Sequence, residues 1–377
     1  MSKLAFMFPG QGSFELGMGR EIAEASPEAM AVYEEGSEAT GLDLRRLCFD
    51  GTAEELTRTD LQQPALVATS LAINAALRAR GIEPDYVVGH SVGEFSALGA
   101  AHAIDVRETL RLVRERGLAM ADAATARPGS MAAILGLADE AVEALCKKIH
   151  NVWPANYNCP GQLVVSGETG AVEECCSEAE REGARRAVRL KVSGAFHSPL
   201  VGLAADRFRP AIERIDFKVP TAQFVSTVTA RLEDVTRLRT LLVDQLTAPV
   251  RFTQSARVMI GGGVTTFVEV GPGNVLSGLL KRIDSSVKAI SVNDLKSLDA
   301  ATSPAPAWTI SCACAGPPTH ATRSGPKCLL NTTVGGVPSG GTRPFATDTT
   351  AVRLPRPDAP RRSITSPSPR EGTARNT

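Results

Sequence analysis

A chain of 377 residues, 43% apolar and 22% charged, has room for one large domain or two to three small ones around a substantial core. Its formal charge of zero joins two unlike parts: residues 301–377 hold nine Lys/Arg against three Asp/Glu, leaving 32 against 38 in residues 1–300. The mildly acidic part argues against nucleic acid as the main partner, which calls for a basic patch or stripe, while a local basic surface for an acidic partner stays open.

In chain order, residues 4–8 read as a first strand. This apolar stretch is too short for a signal-peptide core and is stopped by Pro9-Gly10. Nothing later is long enough to span a membrane. Pro9-Gly10-Gln11-Gly12-Ser13 reads as a tight loop and 17–35 as mostly helical, after which strands are expected to alternate with helices. Residues 85–89 form a short, β-branched apolar run, a buried strand, and residues 94–102 continue with helix formers. Gly89-His90-Ser91-Val92-Gly93 therefore places a G-x-S-x-G run at a strand-to-helix turn, the arrangement that exposes a nucleophilic serine. The same residues also satisfy a capping box, Ser91 with Glu94 three residues on. A long helical pattern over 107–124 is closed by Arg127-Pro128-Gly129.

From 131 the texture becomes βαββαβ: strands at 131–135, 152–157, 162–166 and 187–192, with helices at 140–149 and 171–183. Alternation resumes with a strand at 224–228, a helix at 235–246 and a strand at 265–270 before Gly271-Pro272-Gly273. After residue 295 the pattern is lost, and half of the 24 prolines fall in 301–377. The fold class expected is α/β: a large α/β-hydrolase-like domain over 1–124 and 197–295, a small ferredoxin-like α+β subdomain inserted at 125–196, and a disordered tail over 296–377. Eight cysteines show no zinc or disulfide spacing and suit a reducing cytosol, so a cytoplasmic protein is expected, with no metal site.

Two further residues carry chemistry in the pattern itself. His197 lies in Ser193-Gly194-Ala195-Phe196-His197-Ser198-Pro199, a loop from which a side chain can be aimed across a cleft. Arg116 shares a helix face with Leu112, Val113 and Met120, so its guanidinium points inward and needs an anionic partner. An internal salt bridge with an Asp or Glu would meet that need, as would an anionic ligand.

Phe8-Pro9-Gly10-Gln11-Gly12-Ser13, Gln63-Pro64-Ala65-Leu66, Gly89-His90-Ser91-Val92-Gly93-Glu94, Arg116-Gly117, Asn158-Cys159-Pro160-Gly161-Gln162, Gly194-Ala195-Phe196-His197-Ser198 and Glu269-Val270-Gly271-Pro272-Gly273 stand in one order. Together, over roughly residues 3–295, they resemble the malonyl-CoA:acyl-carrier-protein transacylase family, acyltransferases of bacterial type II fatty-acid synthesis. The resemblance implies Ser91 as nucleophile and His197 as base. It places the oxyanion on the backbone amides of Val92 and Gln11 and the malonyl carboxylate on a fork from Arg116, with Gln63 nearby. It implies that a backbone carbonyl orients the imidazole, assigned to Arg251 in the 249–252 segment, and that Phe196 favours malonyl over methylmalonyl. Malonyl-CoA and acyl carrier protein are the implied partners of a monomer without metal or redox cofactor. Asn274 departs from the family, where a basic residue is common. Rival readings are a polyketide-pathway acyltransferase or a thioester hydrolase on the same scaffold, and a catalytically silent carrier-binding module.

Overall fold

The first strand shows no polar alternation because it is buried on both faces: Leu4, Phe6 and Phe8 join one apolar cluster, Ala5 and Met7 another. The computed structural model describes residues 2–302. Among them the strands in chain order are β1 (Lys3–Phe8), β2 (Tyr86–Gly89), β3 (Ser130–Leu135), β4 (Val152–Cys159), β5 (Gln162–Gly167), β6 (Arg186–Arg189), β7 (Gln223–Ser226), β8 (Arg231–Leu232), β9 (Val264–Val270) and β10 (Lys288–Val292). They form a six-stranded sheet ordered β10-β9-β1-β2-β7-β8 and a four-stranded sheet ordered β4-β5-β3-β6. The first is parallel except for the β7–β8 pair; the second is antiparallel throughout. A mixed α/β protein results.

Helices cover both faces of the large sheet. On one side Thr59–Ala79, Val106–Ala126 and Gly202–Ile212 pack into the larger cluster; on the other, Phe252–Gly261 and Val275–Ile283 pack on Met7, Tyr86, Val88 and Phe267. The small sheet turns Ala132 and Ile134 toward its own helices, Asp139–Lys148 and Thr169–Arg181, and Met131 and Ala133 toward the larger cluster. The described residues thus belong to one compact unit. None of their helices is long and apolar enough to cross a membrane.

The structure changes several expected elements. Between β1 and β2 the described residues hold helices and no strand: Arg20–Ala25, Pro27–Thr40, Leu44–Asp50, Ala53–Thr57 and Thr59–Ala79. The helix expected at 17–35 breaks at Ser26, whose hydroxyl caps Ala29 N at 3.3 Å with Pro27 in the first turn. Thr59–Ala79 runs through Pro64, which has no N–H to offer Asp60 O four residues back; Arg114 of the helix Val106–Ala126 donates to that carbonyl at 2.6 Å. At the other end, the tail boundary at 296 is too early. Leu295–Thr302 is a helix with Leu298 fully buried, and the remainder of the expected tail, 303–377, lies outside the described residues.

Candidate active site

Strand β2 ends at Gly89, and His90, Ser91 and Val92 turn the chain into the helix Gly93–Ala100. The turn is tight enough that a Cβ on Gly89 would stand 1.9 Å from the carbonyl carbon of Gly93, and one on Gly93 2.2 Å from the Phe8 carbonyl oxygen. Neither position admits a side chain. At its apex Ser91 holds φ 54°, a left-handed conformation rare outside glycine, and this aims its hydroxyl away from the helix. The capping alternative is not what forms. The helix has no side-chain cap, and Ser91 Oγ lies 2.8 Å from His197 Nε2.

His197 is held from behind. Its Nδ1 lies 3.0 Å from the Gln245 carbonyl and 3.0 Å from the Ala248 carbonyl, and its own N–H donates to Leu246 O at 3.2 Å. Two carbonyls can only accept, so Nδ1 carries the proton and Nε2 is left bare to accept from the serine hydroxyl. Arg251, expected in this role, does not fill it. The Arg251 carbonyl accepts Ser255 N at 3.0 Å in the first turn of the helix Phe252–Gly261, and its N–H goes to Thr227 O. Burial, then the neighbouring Arg116 cation, then His90 bring the imidazole's pKa down to about 3, so the ring is neutral at physiological pH.

Arg116 is 1% exposed, yet among the described residues it forms no salt bridge. One terminal nitrogen donates to Gln63 Oε1 at 2.6 Å and the other to Ser91 Oγ at 3.2 Å, Nε has no partner, and the guanidinium carbon lies 5.7 Å from the centre of the Phe95 ring. Burial lowers its pKa to about 9, against the pull of Glu94, which leaves it a cation at neutral pH. A buried guanidinium with neutral partners beside a serine is an electrostatically incomplete arrangement, and a carboxylate completes it.

Gln63, fully buried, is the fifth residue of its helix; its amide donates to Thr59 Oγ1 at 2.9 Å and lies 3.3 Å from Met120 Sδ and 3.5 Å from Gln11 Oε1. Thr59 in turn donates to Gln11 Oε1 at 2.8 Å, which ties the first glycine-rich loop to the same wall. The backbone amides of Gln11 and Val92 donate to no acceptor among the described residues. Phe196, by contrast, is buried in the larger apolar cluster.

Sequence reasoning missed three contributors. Gln245 gave no signal, because a glutamine at a helix end is ordinary; it is 1% exposed, and its side chain reaches Ser91 O at 3.0 Å. Glu94 was visible only as a capping partner and as the last residue of the elbow motif, and is fully buried. Asn158 of β4 meets His90 Nε2 at 2.9 Å through its Oδ1, joining the small sheet to the elbow. A separate groove of about 710 Å³ lies at the opposite end of the large sheet, where Lys3, Asp85, Tyr86 and Gln223 start their strands. Lys3 is bound to Gly262 O and Asp85 to Leu4 N, and parallel α/β sheets place ligands at the other, carboxyl ends.

The chain is also similar to known proteins. A family model described as acyl transferase domain matches residues 5–298. The malonyl CoA-acyl carrier protein transacylase of Bacillus subtilis is 43% identical over 306 residues, which is 80% of this chain and 96% of that protein. A crystal structure of MCAT from Streptococcus pneumoniae superposes with a TM-score of 0.77 at 39% identity, covering 80% of this chain and 99% of that one. A malonyl-transacylase solved in complex with its type II PKS acyl-carrier protein does so with a TM-score of 0.77 at 40% identity, covering 80% and 99%.

Proposed function

The chain belongs to the acyl transferase domain family, and from that premise we propose that it carries a malonyl group from malonyl-CoA to the phosphopantetheine thiol of an acyl carrier protein, for fatty-acid biosynthesis, through an ester on Ser91. The observation that carries the reading is the 2.8 Å pair of Ser91 Oγ and His197 Nε2 with an unsaturated cation, Arg116, 3.2 Å from the same oxygen. The cation bears on which acyl group is held, and the similarity to acyl transferases favours a carrier thiol over water as its acceptor.

In the first half-reaction Ser91 Oγ attacks the thioester carbonyl as its proton passes to His197 Nε2. The amides of Val92 and Gln11 take the oxyanion, Arg116 holds the malonyl carboxylate with Gln63 steadying the fork, and the Gln245 and Ala248 carbonyls stabilise the imidazolium. The C–S bond then breaks and His197 returns the proton to the coenzyme A thiolate. In the second, the carrier thiol gives its proton to His197, attacks the malonyl ester, and the proton goes back to Ser91. Phe196, beside the base in the chain, acts on acyl choice only through the apolar packing it supports.

The strand order β4-β5-β3-β6 supports reading residues 125–196 as a ferredoxin-like insertion in an α/β-hydrolase-like domain made of 1–124 and 197–295. A monomer working in the cytoplasm on these two substrates, without nucleic acid, is the simplest form of the enzyme, and the five described cysteines, all free thiols, suit that compartment. Intact-protein mass spectrometry after brief exposure to malonyl-CoA tests the proposal: wild type gains one malonyl group, folded Ser91→Ala gains none and transfers none to carrier. Transfer at a near wild-type rate by Ser91→Ala refutes it. Fatty-acid and polyketide carriers offered in parallel separate the two pathways.

A further inference from the structure

The Glu94 carboxylate and the Gln245 side-chain amide take no part in the chemistry above, yet both are buried directly against it. Resting on the reading of Ser91 and His197 as nucleophile and base, we infer that the Glu94 carboxylate and the Gln245 side chain form a clamp that fixes these two groups against each other, making both positioning residues for the transfer. Glu94 sits in the first turn of the elbow helix. Its Oε1 accepts Thr227 N at 2.5 Å and Thr227 Oγ1 at 3.0 Å, and its Oε2 accepts from Gln245 Nε2. The same Gln245 amide donates to the Ser91 carbonyl at 3.0 Å, while the Gln245 main-chain carbonyl holds His197 Nδ1 at 3.0 Å. One residue therefore touches the nucleophile with its side chain and the base with its backbone.

Thr227 extends the clamp. Its carbonyl accepts Arg251 N at 2.8 Å, which anchors the far end of the loop that brings Ala248 O to His197. Both catalytic residues need such outside support, because Ser91 at φ 54° and His197 at φ 58° are held in backbone conformations that cost free energy unless the surroundings enforce them. A fully buried carboxylate is itself costly unless every lone pair is engaged. Here the Thr227 amide, the Thr227 hydroxyl and the Gln245 amide favour the charged form, though desolvation outweighs them and leaves the Glu94 pKa raised above its ordinary value. A side chain kept only for packing would have no reason to be an acid at this position.

The test uses the full chain with malonyl-CoA and pantetheinylated carrier. Gln245→Met removes the amide but keeps bulk and the main-chain carbonyl, Glu94→Gln keeps shape but loses one acceptor, and Thr227→Val removes a single hydroxyl. Rapid-quench measurement of malonyl-Ser91 formation is expected to show losses of about tenfold for Gln245→Met and Glu94→Gln and roughly threefold for Thr227→Val, the scale of one or a fraction of a buried hydrogen bond. KM for malonyl-CoA should stay within about twofold, and the double variant should be no slower than the worse single one, as for residues acting as a unit. Wild-type acylation rates in a folded Gln245→Met or Glu94→Gln protein, losses confined to KM, or additive losses overturn the clamp. Should those two variants not fold, Thr227→Val decides: an unchanged rate there overturns it. Failure of the wild-type chain to acylate Ser91 would instead remove the reading of the site on which the clamp rests.

Discussion

Arg116 is where substrate choice meets electrostatics. Its fork is bound to Gln63 and Ser91, both neutral, so a malonyl carboxylate supplies the charge the pocket lacks and an acetyl group does not. Arg116→Ala should lower malonyl transfer by several hundredfold, on the order of a few kcal/mol for a bidentate charged hydrogen bond, while sparing acetyl transfer. Arg116→Lys should rescue poorly, because a point charge does not reproduce the planar fork. Parallel assays with the two acyl-CoA substrates check this, and equal losses would assign Arg116 to the fold instead. His197 gives a prediction in pH. Its folded pKa is depressed to about 3 from an ordinary 6.5, so the folded protein keeps the ring neutral where an unfolded chain would protonate it. The contribution to stability is full above pH 6.5 and is lost as pH falls from there toward 3. In activity, kcat/KM for malonyl-CoA should run flat through pH 6.5 and bend only below it; an inflection at 6.5 would mean a solvated imidazole. Ser91 and Arg116 were readable from local pattern because each is marked by its own element, a strand-to-helix turn and a helix face. The carbonyl behind His197 was not, since any of several residues in the 245–251 segment could supply it and a backbone oxygen has no sequence signature.

At the scale of elements, the elbow is the most constrained junction. A methyl group on Gly93 would meet the Phe8 carbonyl at 2.2 Å, backbone against backbone, and β1 and β2 cannot separate without losing their shared ladder. Gly93→Ala should cost about 3 kcal/mol or more and abolish acylation, whereas Gly278→Ala, in a helix with nothing within 4 Å, should be neutral or stabilise by roughly 0.5–1 kcal/mol. Thermal unfolding of the two variants, with acylation measured alongside, makes the comparison. The helix Thr59–Ala79 teaches the converse lesson. Proline disfavours a helix interior, yet the helix continues through Pro64 because Arg114 from another helix satisfies the carbonyl that proline strands. Local rules mark the cost of such a residue, while only a neighbour remote in sequence can meet it.

For the molecule as a whole, the matched family region ends at residue 298 and the last described helix, Leu295–Thr302, buries Leu298 against the core. A chain truncated after Thr302 should unfold cooperatively and retain malonyl transfer, and one truncated after Asp294 should be less stable; loss of activity in the longer form would show that residues beyond 302 are required. The sequence by itself determined the α/β class, the strands and helices of the small sheet to within a few residues, the elbow, and the inward face of Arg116. Each of these depends on short-range periodicity or on a motif whose chemistry is local. Tertiary structure alone decided which carbonyls hold the imidazole, that Arg116 faces Gln63 and Ser91 rather than an internal acid, and that Glu94 and Gln245 meet beneath the elbow. Those facts depend on residues 25 to 154 positions apart being brought within hydrogen-bond range, and packing, with the requirement that buried polar groups find partners, selects that proximity without leaving a mark in local sequence.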